Sequence, residues 1–377
     1  MPSLRWFRHF GPGAGLCAAA LLTACGGSSG SSTRAYQATA SVGDFLTISV
    51  DSGNQTITYA NHTNGQAGTV AYTVDADGAY SITTPGGGLL KAYEIPGFAL
   101  VASADNTGPA ASTTSLITAI QQAPVSLDWL KGQTFNYMQW RVTQGGLNVG
   151  TVAIDASSNV ATTSYWPYGQ MQLDLGVGQN ASGWSSNNFS AGSFSADPSG
   201  HFLSLTEDGS TDTLFATQGG FFVVDNPNGS INSVPQTGTS GFAAGSAGSY
   251  RALAFTKTAA MGTGSGLETG TGTVASCAVT VSAAGRFTLQ DSAGNTLADQ
   301  LLQPVADTPA LLASGTGQLP NACPGLFTGE ATSNHIKQDV YLTFLDQAIL
   351  FGTYAYDTTQ IGSNPSYTYV YGVALKQ

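Results

Sequence analysis

Between Tyr72 and Ile82 the chain alternates large apolar and polar residues on both sides of a short polar turn. Tyr72 and Val74 precede Asp75-Ala76-Asp77-Gly78, and Tyr80 and Ile82 follow it. A period of two puts successive side chains on opposite faces, so this stretch reads as a β-hairpin with one face to bury. Glycine in the turn supplies a backbone conformation that other residues resist. The spacing returns at Phe194, Ala196, Gly200 and Phe202, and again at Val279, Val281, Gly285 and Phe287. The three glycines stand 122 and 85 residues apart. A solenoid or propeller needs a fixed period, so the pattern predicts a reused hairpin template rather than a regular array.

A second element follows the first two copies. Gly97-Phe98-Ala99-Leu100-Val101 begins 19 residues after Gly78, and Gly220-Phe221-Phe222-Val223-Val224 begins 20 after Gly200. Each copy is therefore expected to be a meander of about four strands, because a lone hairpin is barely stable in water. Val340–Leu345 and Ile349–Tyr356 form a further hairpin around Asp346-Gln347, and Tyr367–Leu375 reads as a closing strand. Helical periodicity is scarce. Thr113–Ala123, stopped by Pro124, reads as a connector helix, and Ala298–Leu302 as a helical turn. The expected fold is all-β, with antiparallel meanders forming one or two β-barrel-like or β-sandwich-like units and few short helices.

Composition agrees with an exported β protein. Only 9% of the 377 residues are charged, while 42% are hydrophobic and 10% aromatic, enough for packed cores. The formal charge is −11, and no basic patch is legible, so nucleic acid is not an expected partner.

The first residues form an address. Arg5, Arg8 and His9 give a positive start, and Ala14 to Thr23 is an apolar run too short to span a bilayer. Leu22-Thr23-Ala24-Cys25 resembles the lipobox of bacterial lipoproteins. The resemblance implies cleavage before Cys25 and acylation there, palmitate included. Residues 1–24 are then a signal peptide, and their loss takes Arg5 and Arg8 away, leaving a charge of −13. Residues 25–35 are a flexible Gly/Ser tether. Gly rather than Asp at position 26 resembles the pattern sent to the outer membrane of Gram-negative cells. The lipid anchor is the expected membrane contact, with cell-surface or periplasmic placement left open. Behind it, residues 36–111 are expected as an N-terminal meander, 112–237 as a central β region and 238–377 as a C-terminal β region. The segments 104–111 and 238–248 are the expected linkers.

Tether, meanders and a closing strand ending in YGVALKQ together resemble the tethered β-barrel surface lipoproteins, such as the transferrin-binding and factor-H-binding ones. No binding motif of those families can be placed here. The resemblance implies a binding or adhesion role.

With Cys17 in the leader and Cys25 acylated, Cys277 and Cys323 remain. An even pair in an oxidising compartment is expected to form a disulfide. Two cysteines with His335 make no zinc site, and no metal or cofactor is expected. Chemistry is thinly represented elsewhere. The one G-x-S-x-G run, Gly26 to Gly30, lies in the tether, where no strand-to-helix turn can strain the serine. His62, His201 and His335 share no ligand spacing. Glu207-Asp208 with Asp212, and Asp75 with Asp77, read as turns before they read as calcium sites. The recognition candidates are aromatic: Tyr165, Trp166 and Tyr168 around Pro167, and Trp184 beside Asn187-Asn188. Such side chains can stack on a sugar or anchor a protein ligand. A non-enzymatic binding lipoprotein is the leading expectation. A structural or assembly lipoprotein of the envelope and a glycan-active enzyme are the alternatives.

Overall fold

The computed structural model describes residues 32–83, 89–106, 113–140, 147–156, 160–165, 167–176, 185–189, 193–198, 200–207, 210–217, 220–226, 229–236, 246–260, 272–305, 323–345, 347–362 and 365–377. They form three antiparallel sheets of nine strands each.

The first sheet runs β1 (Thr33–Ala40), β2 (Asp44–Asp51), β3 (Thr56–Asn61), β4 (Ala67–Ala71) and β5 (Thr73–Val74), then β6 (Tyr80–Thr83), β7 (Leu89–Ile95), β8 (Ala99–Asn106) and β9 (Thr113–Gln121). A short helix, α1 (Leu127–Leu130), leads into the second sheet. That sheet holds β10 (Thr134–Trp140), β11 (Leu147–Ile154), β12 (Val160–Tyr165), β13 (Ser185–Phe189) and β14 (Ser193–Ala196), followed by β15 (Leu203–Glu207), β16 (Ser210–Ala216), β17 (Phe222–Asn226) and β18 (Gly229–Pro235). Helix α2 (Pro167–Asp174) lies between β12 and β13. The third sheet comprises β19 (Gly248–Ala260), β20 (Gly272–Val281), β21 (Arg286–Asp291), β22 (Thr296–Leu301) and β23 (Gln303–Pro304), then β24 (Leu326–Ser333), β25 (Ile336–Leu345), β26 (Ala348–Asp357) and β27 (Ser366–Lys376).

All three share one strand order. The first and last strands pair, so β1 joins β9, β10 joins β18 and β19 joins β27. The seam falls between the fourth and fifth strands, as in β4 and β5. A meander closed through its ends is barrel-like and leaves few edges unpaired.

Each sheet encloses its own core. Ala38, Ile48, Ile82, Leu100 and Ile117 pack inside the first, Phe135, Ile154, Leu214 and Phe222 inside the second, and Val279, Phe287, Phe351 and Ala374 inside the third. A fourth core lies where the outer faces meet, and it draws on all three sheets: Leu116 and Ile120, Trp140 and Phe221, Tyr354 and Tyr371. Strand β27 shows how one sequence serves two cores. Tyr367, Tyr369, Tyr371, Val373 and Leu375 face the shared core, while Val370 and Ala374 face the interior of the third sheet. The tyrosines form a stack continued by Trp140, whose ring lies 5.0 Å from that of Tyr371 and within 10° of parallel.

Three expectations are corrected. Thr113–Gln121 is not a helix but β9, paired with β1 and β8. Leu116 and Ile120 point to the shared core and Ile117 and Ala119 inward, so burial on both faces hides the period of two. Ala298–Leu302 is not a helical turn, because Ala298 to Leu301 belong to β22 and pair with β21. The Cys277–Cys323 disulfide is not formed. Both thiols are free and buried, Cys277 inside the third sheet and Cys323 in the shared core beside Thr151. They lie on opposite sides of the sheet wall.

Candidate functional site

The most highly built polar constellation lies at the end of the first sheet where the chain enters it. Residues Leu90, Ala92 and Glu94 of β7 share one face by the period of two, and Leu90 and Ala92 belong to the interior core. Glu94 is therefore a carboxylate aimed into an apolar sheet, and its side chain is 1% exposed. An ionised group there needs full pairing. Arg34 of β1 supplies a two-pronged contact, with Nε donating to Oε1 at 2.6 Å and Nη2 to Oε2 at 2.7 Å. The hydroxyls of Tyr36 and Tyr80 donate to the same two oxygens. Tyr72 stacks on Tyr80 at 4.3 Å.

Electrostatics follow from this packing. Burial, then the bond to Glu94, pushes both the Tyr36 and Tyr80 phenols well above their ordinary value. The bond to Glu94 raises Arg34 too. Glu94 accepts four hydrogen bonds, so it has no spare lone pair for a substrate proton, and the cluster suits bracing rather than acid–base work. It sits beside the chain entry. Ser32 Oγ donates to Asp51 Oδ1 at 2.9 Å, and the Ser52 amide donates to the Ser32 carbonyl at 3.0 Å.

Two further polar clusters join sheets. Lys337 of β25 bonds Asp174 of α2 at 3.1 Å and Glu330 at 3.3 Å, while the Tyr356 hydroxyl donates to Asp174 at 2.6 Å. Asp339, on the same face as Lys337, is pushed up to about 7 by burial, with Lys337 opposing the shift. Between the first and second sheets, the Thr39 hydroxyl donates to Asp225 Oδ1 at 2.6 Å.

The aromatic candidates separate. Tyr168 is a core side chain, 1% exposed and edge-on to Tyr367 at 5.5 Å, so it presents no surface for stacking. Tyr165 ends β12 opposite Val149. Trp166 and Trp184 lie outside the described residues. Asp212 is half-buried and bonded by Asn226 at 3.1 Å, and Asp75 is paired with Lys91. Among the described residues no group of three or more His, Cys, Asp or Glu side chains is placed to hold a metal ion. Nor is any helix among them long and apolar enough to cross a membrane.

The Arg34–Glu94 brace was legible only as parity. A charged residue on the apolar face of an alternating strand signals a buried pair, and Glu94 after Leu90 and Ala92 is such a case. Its partner, 60 residues earlier, carries no local signal.

No family model and no curated protein matches this sequence. Among solved structures it is similar to isotype 1 transferrin binding protein B from serogroup B Neisseria meningitidis, at 12% identity and a TM-score of 0.26, covering 89% of this chain and 66% of that one. It is also similar to intact Ap-TbpB with N and C lobes, at 10% identity and 0.24, covering 88% and 67%. A protein of unknown function of the DUF3598 family from Nostoc punctiforme matches at 7% identity and 0.18, covering 92% and 94%. The chain thus spans about two thirds of the length of the two transferrin binding proteins. Scores this low lie below those of chains that share a fold, so none of these proteins assigns a ligand to this one.

Proposed function

We propose that this chain is a lipid-anchored lipoprotein of the outer membrane whose three-sheet body binds a protein or glycan ligand and carries out no catalysis. The observation that carries the reading is the union of Leu22-Thr23-Ala24-Cys25 with a body whose β1 begins at Thr33, eight residues after Cys25. The sheet interiors are filled by side chains, which supports binding through surfaces and loops rather than in an internal cleft. The buried carboxylate of Glu94 is committed to Arg34, Tyr36 and Tyr80, which supports a non-enzymatic role.

The aromatic residues Tyr165, Trp166 and Trp184 are the proposed recognition anchors, with Tyr168 left out because it is core. The test is in two stages. Cys25→Ser should abolish acyl labelling and release the protein from the membrane fraction; labelling that persists refutes the anchor. Intact cells should then expose the body to added protease, and glycan arrays and pull-downs should return a ligand whose capture falls at least tenfold in Trp166→Ala or Trp184→Ala. Protection from protease in intact cells would favour an assembly role inside the envelope.

A further inference from the structure

The polar cluster where α2 meets the third sheet holds more carboxylates than its lysine balances. Lys337 and Asp339 share a face of β25 by the period of two. Glu330 of β24 stands opposite Asp339 in register, and Tyr356 of β26 stands opposite Lys337. Asp174 reaches the same face from the end of α2, held by the Tyr356 hydroxyl at 2.6 Å and by Lys337 at 3.1 Å. Lys337 Nζ also lies 3.3 Å from Glu330 Oε2. Asp339 forms the floor of this pit. It is 6% exposed, and among the described residues no group donates a hydrogen bond to it. Lys337 attracts it, while Glu330 and Asp174 repel it. Glu330 and Asp174 form the rim, their side chains 39% and 28% exposed. Ile361, 73% exposed, adds an apolar neighbour: it lies over Gly176, two residues past Asp174, where a Cβ would stand 3.5 Å from Ile361 Cγ2.

We propose that this pit binds an arginine side chain of a protein ligand, with Glu330 and Asp174 taking the guanidinium at the rim, Asp339 beneath them and Ile361 against the aliphatic stem. The inference rests on the reading of the body as a binding module and names the chemistry that one of its surfaces takes. With Asp339 ionised, three carboxylates around one ammonium leave two negative charges uncompensated. A carboxylate set in an apolar wall attracts a cation more strongly than one surrounded by water. The carboxylates surround Lys337 rather than converge on a point, and among the described residues no such trio is placed to hold a metal ion. The cation that fits is therefore extended and organic. A guanidinium is planar, always charged and able to bond two carboxylates at once. The whole chain is acidic, with a formal charge of −11, which steers a basic partner toward it.

The test is calorimetric titration of the purified full chain at pH 8 and low salt. The probe is a blocked tripeptide with a central arginine, and its control is the same peptide with neutral citrulline. The arginine peptide should bind at least tenfold more tightly than the citrulline peptide. Glu330→Gln and Asp339→Asn should each weaken it at least fivefold. Glu330 is at the surface, so Glu330→Gln should melt in urea near the unmodified chain and decides the matter if Asp339→Asn folds poorly. Asp128→Asn removes the same charge from an exposed site on α1 and should leave the affinity unchanged. Equal affinity for the two peptides overturns the proposal. So does a loss in Asp128→Asn as large as that in Glu330→Gln, since overall charge would then carry the binding, or a folded Glu330→Gln or Asp339→Asn that binds as the unmodified chain does. The titration involves neither the lipid anchor nor the aromatic anchors, so its failure leaves the broader binding role to be judged by the protease and pull-down experiments.

Discussion

Phe98 and Phe221 stack on each other, 6.1 Å between ring centroids and 28° between planes, and they hold the same place in two different sheets. Each follows a left-handed glycine, Gly97 or Gly220, in the turn between the seventh and eighth strands of its sheet. Equivalent positions that meet each other are what a two-fold pair of like units produces. The first and second sheets share one strand order, so the contact joins equivalent turns of two like units within one chain.

That contact should be energetically coupled. Phe221 is fully buried, so Phe221→Ala is expected to cost about 3–5 kcal/mol, and Phe98→Ala less. The double variant should fall short of the sum by roughly 0.5–1.5 kcal/mol, read from urea melts as a double-mutant cycle. Strict additivity would show that the rings are neighbours without being partners.

Gly352 is a point of close approach between the second and third sheets. A Cβ there would meet Leu147 Cδ2 at 2.5 Å, and the Leu147 amide already donates to the Tyr354 hydroxyl at 3.1 Å. Gly352→Ala is expected to destabilise by roughly 1–3 kcal/mol through overpacking. Adding Leu147→Ala should cost less in that background than in the unmodified chain, because it opens space for the new methyl.

The brace of the first sheet makes a sharper demand. Arg34→Met strands the Glu94 carboxylate, and breaking a buried pair from one side costs about 3–5 kcal/mol. Replacing both, with Arg34→Met and Glu94→Leu, should recover much of that loss. A double variant no more stable than the single one would mean the pair does more than satisfy itself.

Stability should decline between about pH 4 and pH 7. Asp225 and Asp339 are each raised from 3.8 to about 7, chiefly by burial. Across that window the folded chain keeps protons that the unfolded chain releases, so raising the pH favours unfolding, by up to roughly 1.4 kcal/mol per pH unit for each group. The carboxylates of Asp51, Asp75, Asp291 and Asp357 are lowered by their hydrogen bonds and act in the opposite sense, losing their contribution as pH falls below about 4. Urea midpoints should therefore be higher near pH 5 than at pH 8, and Asp339→Asn should flatten part of the slope.

Burial lifts both remaining thiols to about 12. In a chain carrying Cys17→Ser and Cys25→Ser, thiol reagent should find nothing in the native protein at pH 8. It should find two thiols per chain in urea without reductant. None before reduction would restore the disulfide.

Much of the architecture was legible. Alternation located the hairpins at Gly78 and Gly200, which both join fifth and sixth strands, and the second element read from Gly97 and Gly220 starts at turns that both join seventh and eighth. The third hairpin, around Gly285, is real but joins the second and third strands of its sheet; the sixth strand there, β24, is preceded by the left-handed Gly325. Local pattern finds a hairpin but not its rank in the meander, because rank is set by which distant strand it pairs with. Strand β9 was missed because burial on both faces erased its polar alternation. Among the polar clusters, Glu94, Asp225 and Asp339 each sit on an apolar face and could be flagged by parity. Arg34 and Thr39 lie 60 and 186 residues from the groups they serve, and Lys337 lies 163 from Asp174.

The place of β1 in its sheet has a mechanical consequence. It is not an edge: it pairs over eight positions with β2 and five with β9, one ladder on either side. A pull transmitted through the residues before Thr33 runs along the strand axis, so it loads both ladders in shear at once instead of unzipping one bond at a time. The Arg34–Glu94 clasp ties the loaded end across to β7. A body hung from its first strand would then be held by the part of the sheet best able to resist tension.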